Sequence, residues 1–63
     1  MSKLADMRQK NGLSQSELAD KADVNRSMIQ FYEQGVKDIN KAQAQTVKKL
    51  AQALGCAMEG LID

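Results

Sequence analysis

The stretch LSQSELADKADVNRSMIQFYEQG, from Leu13 to Gly35, decides the fold. It opens with Ser14-Gln-Ser-Glu17, a capping box in which the side chain of each end residue bonds the backbone N–H of the other. The helix that follows carries a short apolar stripe and ends near Ala22. Asn25, a preferred N-cap residue, then begins a helix from about Arg26 to Gln34. The stretch therefore predicts two short helices joined by a tight turn.

The segment before this stretch also has helical spacing. A first helix is expected from about Ser2 to Lys10, with Leu4 and Met7 facing the core. Asn11-Gly12 ends it, since both residues tolerate the left-handed conformation of a helix C-terminus.

After Gly35 the pattern continues with a fourth helix, whose apolar stripe ends at Gly55. Its start is ambiguous, because Asn40 with Gln43 resembles a capping pair while Gln43 itself is an equally good start. A short last helix is expected from about Ala57 to Ile62. We therefore predict an all-α fold of four to five helices.

Composition excludes several classes of protein. With 63 residues the chain has room for one domain, residues 1–63. Cys56 is the only cysteine and histidine is absent, so we expect no disulfide within the chain, no metal site, no cofactor and no catalytic residues. No apolar run is long enough to cross a bilayer, and the N-terminus lacks a signal-peptide pattern. A soluble, cytoplasmic, non-enzymatic protein is the expectation, with no small-molecule ligand evident.

Charge distribution says more than the net charge of +1. Between residues 24 and 50 five basic residues face only two acidic ones. An ordinary solvated surface could carry the same charges, so the excess alone does not decide the function. In the third helix, one side presents Ile29 and Tyr32. The other side presents polar groups able to bond base edges, together with one aromatic ring: Arg26, Ser27, Gln30, Phe31 and Gln34.

These residues resemble the Cro/repressor family of bacterial and phage transcriptional regulators, also called the XRE type. The resemblance rests on the stretch from Leu13 to Gly35, with small Ala19 where the two helices would cross. Leu4 and Met7-Arg8 resemble the family's first helix, and Lys49-Leu-Ala-Gln-Ala-Leu-Gly55 resembles its fourth. The resemblance implies a compact lambda-repressor-like fold with a helix-turn-helix. It also implies that the partner is double-stranded DNA.

The resemblance also implies which residues read the bases. Helix three would lie in the major groove with its N-terminal residues at the base edges. Arg26 would bond a guanine, and Gln30 would pair with an adenine. Asn25 and Ser27 would reach bases or phosphate.

Four further residues complete the expected DNA contacts. Gln15, at the positive N-terminus of helix two, would bind a phosphate. Lys37 and Lys41 would contact the DNA phosphates and set the register of helix three on the duplex. Phe31 would pack on a thymine methyl group, or alternatively serve as an aromatic contact for a partner protein.

Two structural features are also expected. Arg8 flanks the apolar side of helix one and Glu33 that of helix three, so the two are expected to form a largely buried ion pair, and the resemblance implies the same pairing. Asp23 occupies a turn position where the family usually has glycine, so it is expected to adopt a left-handed backbone conformation at some cost.

The biological role stays open at the level of sequence. A phage-type repressor, an antitoxin that represses its own operon and a controller of a restriction system all fit. A protein-interaction adaptor with the same fold is the alternative from another class.

A homodimer is expected, because one recognition helix covers only a few base pairs. The contact would come from the last helix, through Met58, Leu61 and Ile62, with Leu54 or Cys56 beside them. The alternative is a monomer whose final helix belongs wholly to the core.

Overall fold

The computed structural model describes residues 2–62, and these residues form helices and turns without any β-strand. Four α-helices and two short 3-10 helices follow one another within this range. In chain order they are α1 Lys3–Lys10, α2 Gln15–Ala22, α3 Arg26–Gln34, a 3-10 helix Ile39–Lys41, α4 Ala44–Leu54 and a 3-10 helix Met58–Gly60. The all-α, lambda-repressor-like fold predicted from the sequence is confirmed.

Short polar side chains begin the first three helices. The Ser2 hydroxyl accepts from the backbone N–H of Ala5 at 3.1 Å. Ser14 and Glu17 form the complete capping box at the start of α2, with distances of 3.0 and 2.8 Å. The hydrogen bonds that the Glu17 carboxylate accepts from Ser14, first that from the backbone N–H, hold the pKa of this carboxyl below its usual value. The capping predictions for α2 and α3 rest on interactions within four residues, which is why sequence alone locates them.

The apolar stripes of the helices meet in one core. α2 packs against both α3 and α4, and α1 packs against α3. Ala19 is 5% exposed, so the small side chain predicted at the helix crossing is buried there. The fully buried large side chains are Leu4, Leu18, Ile29, Leu50 and Leu61.

The fourth helix begins at Ala44, the later of the two starts that the sequence allows. The predicted capping pair of Asn40 and Gln43 is wrong. Asn40 lies inside the 3-10 helix, where its backbone N–H donates to the Asp38 carboxylate at 2.9 Å. Gln43 precedes α4 without forming a side-chain cap.

The predicted short last helix is present, but it is shorter than predicted and forms as a 3-10 helix at Met58–Gly60. No side chain caps this turn at Ala57. Leu61 follows it and is 1% exposed, because the chain turns inward to close the core. Met58 and Ile62 are half-buried against that core.

No helix among residues 2–62 is long and apolar enough to span a membrane. In the same range, no group of three or more histidine, cysteine or acidic residues is arranged to hold a metal ion.

Asp23 ends α2 in the left-handed conformation, with φ 56° and ψ 50°. It is the one residue other than glycine with a positive φ between residues 2 and 62. A side chain in this region raises the backbone energy, and glycine avoids that cost.

Asp23→Gly is therefore expected to stabilise the fold by up to about 1 kcal/mol, measured as the free energy of unfolding in urea. Asp23→Asn is the control, because it removes the charge while keeping a side chain that tolerates the left-handed region. If the asparagine variant gains as much as the glycine variant, charge rather than backbone strain is responsible.

Candidate nucleic-acid interface

Two helices at the surface form the candidate interface, and a three-residue turn joins them. α2 ends at Ala22 and α3 begins at Arg26. The turn is fixed by the backbone N–H of Val24, which donates to the carbonyl of Ala19 at 3.0 Å. Asn25 caps α3 by accepting from the backbone N–H of Ser27 at 3.1 Å.

One side of α3 belongs to the core. Ile29 is fully buried, and Tyr32 packs half-buried beside it. The hydrophobic spacing of this short helix thus orients it as the sequence predicts, with its polar residues turned away from the core.

The other side of α3 carries the residues that the sequence assigns to base reading. Arg26 and Ser27 are exposed in the first turn, and Gln30 is half-buried one turn later. Phe31 is 37% exposed. The structure therefore brings these four side chains to the outer part of one helix.

The residues assigned to phosphate contacts lie on three different elements. Gln15 is the first residue of α2, Lys37 follows α3, and Lys41 ends the 3-10 helix. Both lysines are exposed, whereas Gln15 is half-buried.

A hydrogen-bonded ion pair connects α1 to α3. Arg8 Nε lies 2.7 Å from Glu33 Oε2, and one terminal guanidinium nitrogen donates to Glu33 Oε1 at 3.0 Å. The two side chains are only 14% and 8% exposed. These hydrogen bonds raise the pKa of the Arg8 guanidinium above its usual value.

The same pair reaches the start of α2 by two routes. The Arg8 guanidinium donates to the carbonyl of Leu13 at 2.8 Å. The side-chain amide of Gln15 donates to Glu33 Oε1 at 3.1 Å. Sequence reasoning missed this second bond, because it joins residues whose relation is set only by helix packing.

The exposed charges of α3 and of the segment after it, up to residue 41, are mainly positive. Glu33, the acidic residue of α3, is compensated by Arg8. Asp38, after α3, accepts a backbone hydrogen bond within the 3-10 helix. The cations Arg26, Lys37 and Lys41 are exposed around them.

Two short helices meeting at a tight turn, the second with an exposed polar side, define the class of helix-turn-helix proteins. A family model described as Helix-turn-helix matches residues 4–61 of the chain. The chain belongs to this family, of the XRE type, and is a DNA-binding transcription regulator. The family is a regulatory one and generally not enzymatic. No curated protein matches the chain.

Arg8→Met is expected to destabilise the fold by about 3 kcal/mol, the low end of the range for removing one partner of a buried ion pair. The low end applies because both side chains keep some contact with water. Unfolding in urea measures the change.

The double variant Arg8→Met with Glu33→Leu is the matched control. It removes both charges, so it is expected to regain most of the lost stability. A single variant as stable as the wild type would show that the pair contributes nothing to the fold.

Proposed function

We propose that the protein is a sequence-specific transcriptional repressor that reads the major groove with α3. The observation that carries this proposal is the exposed side of α3, where polar side chains accompany Arg26, while Glu33, the acidic residue of the helix, is paired with Arg8. Residues 1–63 would then act as one DNA-binding domain.

Base reading would fall to the first turns of α3. A guanidinium such as that of Arg26 matches guanine O6 and N7 with two hydrogen bonds, and the amide of Gln30 matches adenine N6 and N7. Ser27 and Asn25 would add contacts at the groove edge. The Asn25 side-chain oxygen already caps α3, so a DNA contact from this residue would use its amide nitrogen.

Phosphate contacts would set the register of α3 without reading sequence. Gln15 stands at the positive end of α2, where backbone N–H groups and the helix dipole favour a negative charge. Lys37 and Lys41 would hold the backbone beyond the other end of α3.

Repression is favoured over activation because it requires fewer contacts. A protein bound across a promoter excludes RNA polymerase by its bulk, so repression needs no interaction beyond those with DNA. Such a protein acts where the DNA is, which for a bacterial or phage regulator is the cytoplasm.

Dimerisation would supply the larger interface that specific sites need. Two copies would place two α3 helices one helical turn, about 34 Å, apart on a palindromic site. The dimer surface expected from the sequence needs correction, because Leu61 is buried in the core. Met58 and Ile62, both half-buried, remain candidates for the contact.

Selection of bound sequences from a random DNA pool tests the proposal. We expect a preferred palindromic site and, in sedimentation, two protein chains on each duplex. A reporter gene behind that site should be expressed less when the protein is present. Sequence-independent binding, or a reporter that becomes more active, would contradict the corresponding part of the proposal.

Arg26→Ala is expected to weaken specific binding by about 1–3 kcal/mol and to relax preference at one base position. Lys37→Ala should weaken binding to all sequences alike and reduce the salt dependence of affinity. Titrations at several salt concentrations, with specific and scrambled duplexes, separate the two. If both variants change affinity and its salt dependence in the same way, the assignment of Arg26 to base contacts and Lys37 to phosphate contacts is wrong.

A further inference from the structure

The four α-helices of residues 2–62 end in the same way. In each, a residue with positive φ follows the helix: Gly12, Asp23, Gly35 and Gly55. The next residue then donates its backbone N–H to the carbonyl five positions earlier. The bonds are Leu13 to Arg8 at 3.2 Å, Val24 to Ala19 at 3.0 Å, Val36 to Phe31 at 2.9 Å and Cys56 to Ala51 at 3.0 Å.

An apolar contact between the two residues joined in this way commonly accompanies such helix ends. After α1, α2 and α4 the donor residue packs against the core, and these residues are Leu13, Val24 and Cys56. After α3 the donor is Val36, which is 67% exposed. Its acceptor residue, Phe31, is exposed as well.

Phe31 and Val36 are the large apolar side chains that the structure exposes between residues 2 and 62. We call them the apolar pair. Gly35, with φ 77°, and the 2.9 Å bond fix the backbone of Val36 against the last turns of α3. The backbone N–H of Lys37 donates to the same carbonyl, that of Phe31, at 3.2 Å. The pair is therefore presented by ordered backbone.

Charge around the apolar pair points to DNA as the partner. Exposed Lys37 follows Val36 directly, and exposed Arg26 lies on the same helix as Phe31. Glu33, between them in sequence, is neutralised by Arg8. Apolar side chains with a lysine next to them and an arginine on the same helix suit a polyanion that also offers an apolar group.

The major groove offers one such group at the edges of the bases. Thymine carries a C5-methyl group there, whereas the other three bases present only hydrogen-bonding groups. Phe31 shares the outer part of α3 with Arg26 and Gln30, so the apolar pair continues the surface proposed to read bases.

We propose that Val36 acts with Phe31 as a specificity-determining pair that contacts one thymine methyl group in each half-site. This inference rests on the proposed function and extends it, because it assigns a reading role to a residue beyond the end of α3 and names the base.

Deoxyuridine substitution tests the proposal, since it removes only the methyl group. Each thymine of the selected palindromic site is replaced in turn, symmetrically in both half-sites, and the affinity of the wild-type protein is measured. One position should lose about fourfold per half-site, the value expected for one buried methyl group.

Val36→Thr keeps the shape of the side chain but replaces a methyl group by a hydroxyl group. We expect it to bind the thymine site more weakly and to lose most of the methyl dependence at that position. Phe31→Ala should abolish the same dependence without lowering the melting temperature, because Phe31 lies opposite Ile29 on the helix. Lys37→Ala is the matched control, and it should weaken both duplexes equally and keep the ratio of about fourfold per half-site.

Three results would overturn the inference while leaving the proposed function intact. They are a selected half-site without thymine, a methyl dependence that neither variant changes, and a Val36→Thr variant that changes only the stoichiometry in sedimentation. The last would show that the apolar pair meets a second copy of the chain. Failure of the proposed function looks different, because selection would then yield no preferred sequence.

Discussion

The ion pair between Arg8 and Glu33 is the interaction on which the arrangement of the first three helices depends. Its donors and acceptors join α1, the loop before α2 and the last turn of α3 through bonds of 2.7 to 3.0 Å. A guanidinium suits this place because it offers several donors in a fixed plane. Because both charges are largely buried, the intact pair adds little net stability. Removing one partner costs much more, because the other charge is then left buried and unpaired.

The surface proposed to bind DNA follows from that arrangement. Glu33 belongs to α3, yet its charge is paired with Arg8 of α1, so Arg26 is the one charged residue on the outer side of α3. The bond from Gln15 to Glu33 extends the connection to the first residue of α2. Gln15, proposed to bind phosphate, is thus hydrogen-bonded to α3, the helix proposed to read bases. α2 and α3 cannot shift relative to each other without breaking this bond.

Helix ends matter in this small protein because its helices have only eight to eleven residues. Such helices are not stable alone, and packing of their apolar sides provides most of their stability. Caps define where each helix begins, and the turn at each C-terminus usually adds one more apolar side chain to the core. At the end of α3 the apolar side chains do not join the core. Phe31 and Val36 are exposed there and so are available to a partner.

The sequence by itself determined the features that depend on neighbours within a few residues. The capping box of Ser14 and Glu17 and the cap at Asn25 are local, so spacing and residue type suffice to predict them. The left-handed turn at Asp23 is also local, but it was expected through the resemblance to a family. The pairing of Arg8 with Glu33 spans 25 residues. Helical spacing places each residue beside the apolar side of its own helix, and the resemblance to a family implies that the two meet.

Only the tertiary structure decided what happens where local signals are weak or where helices meet. The last segment has apolar spacing suited to a helix, yet it forms a 3-10 turn because burying Leu61 closes the core. The bond from Gln15 to Glu33 and the exposure of Val36 likewise depend on how α2 and α3 pack. Packing places residues far apart in sequence beside one another, and no pattern within one helix contains that information.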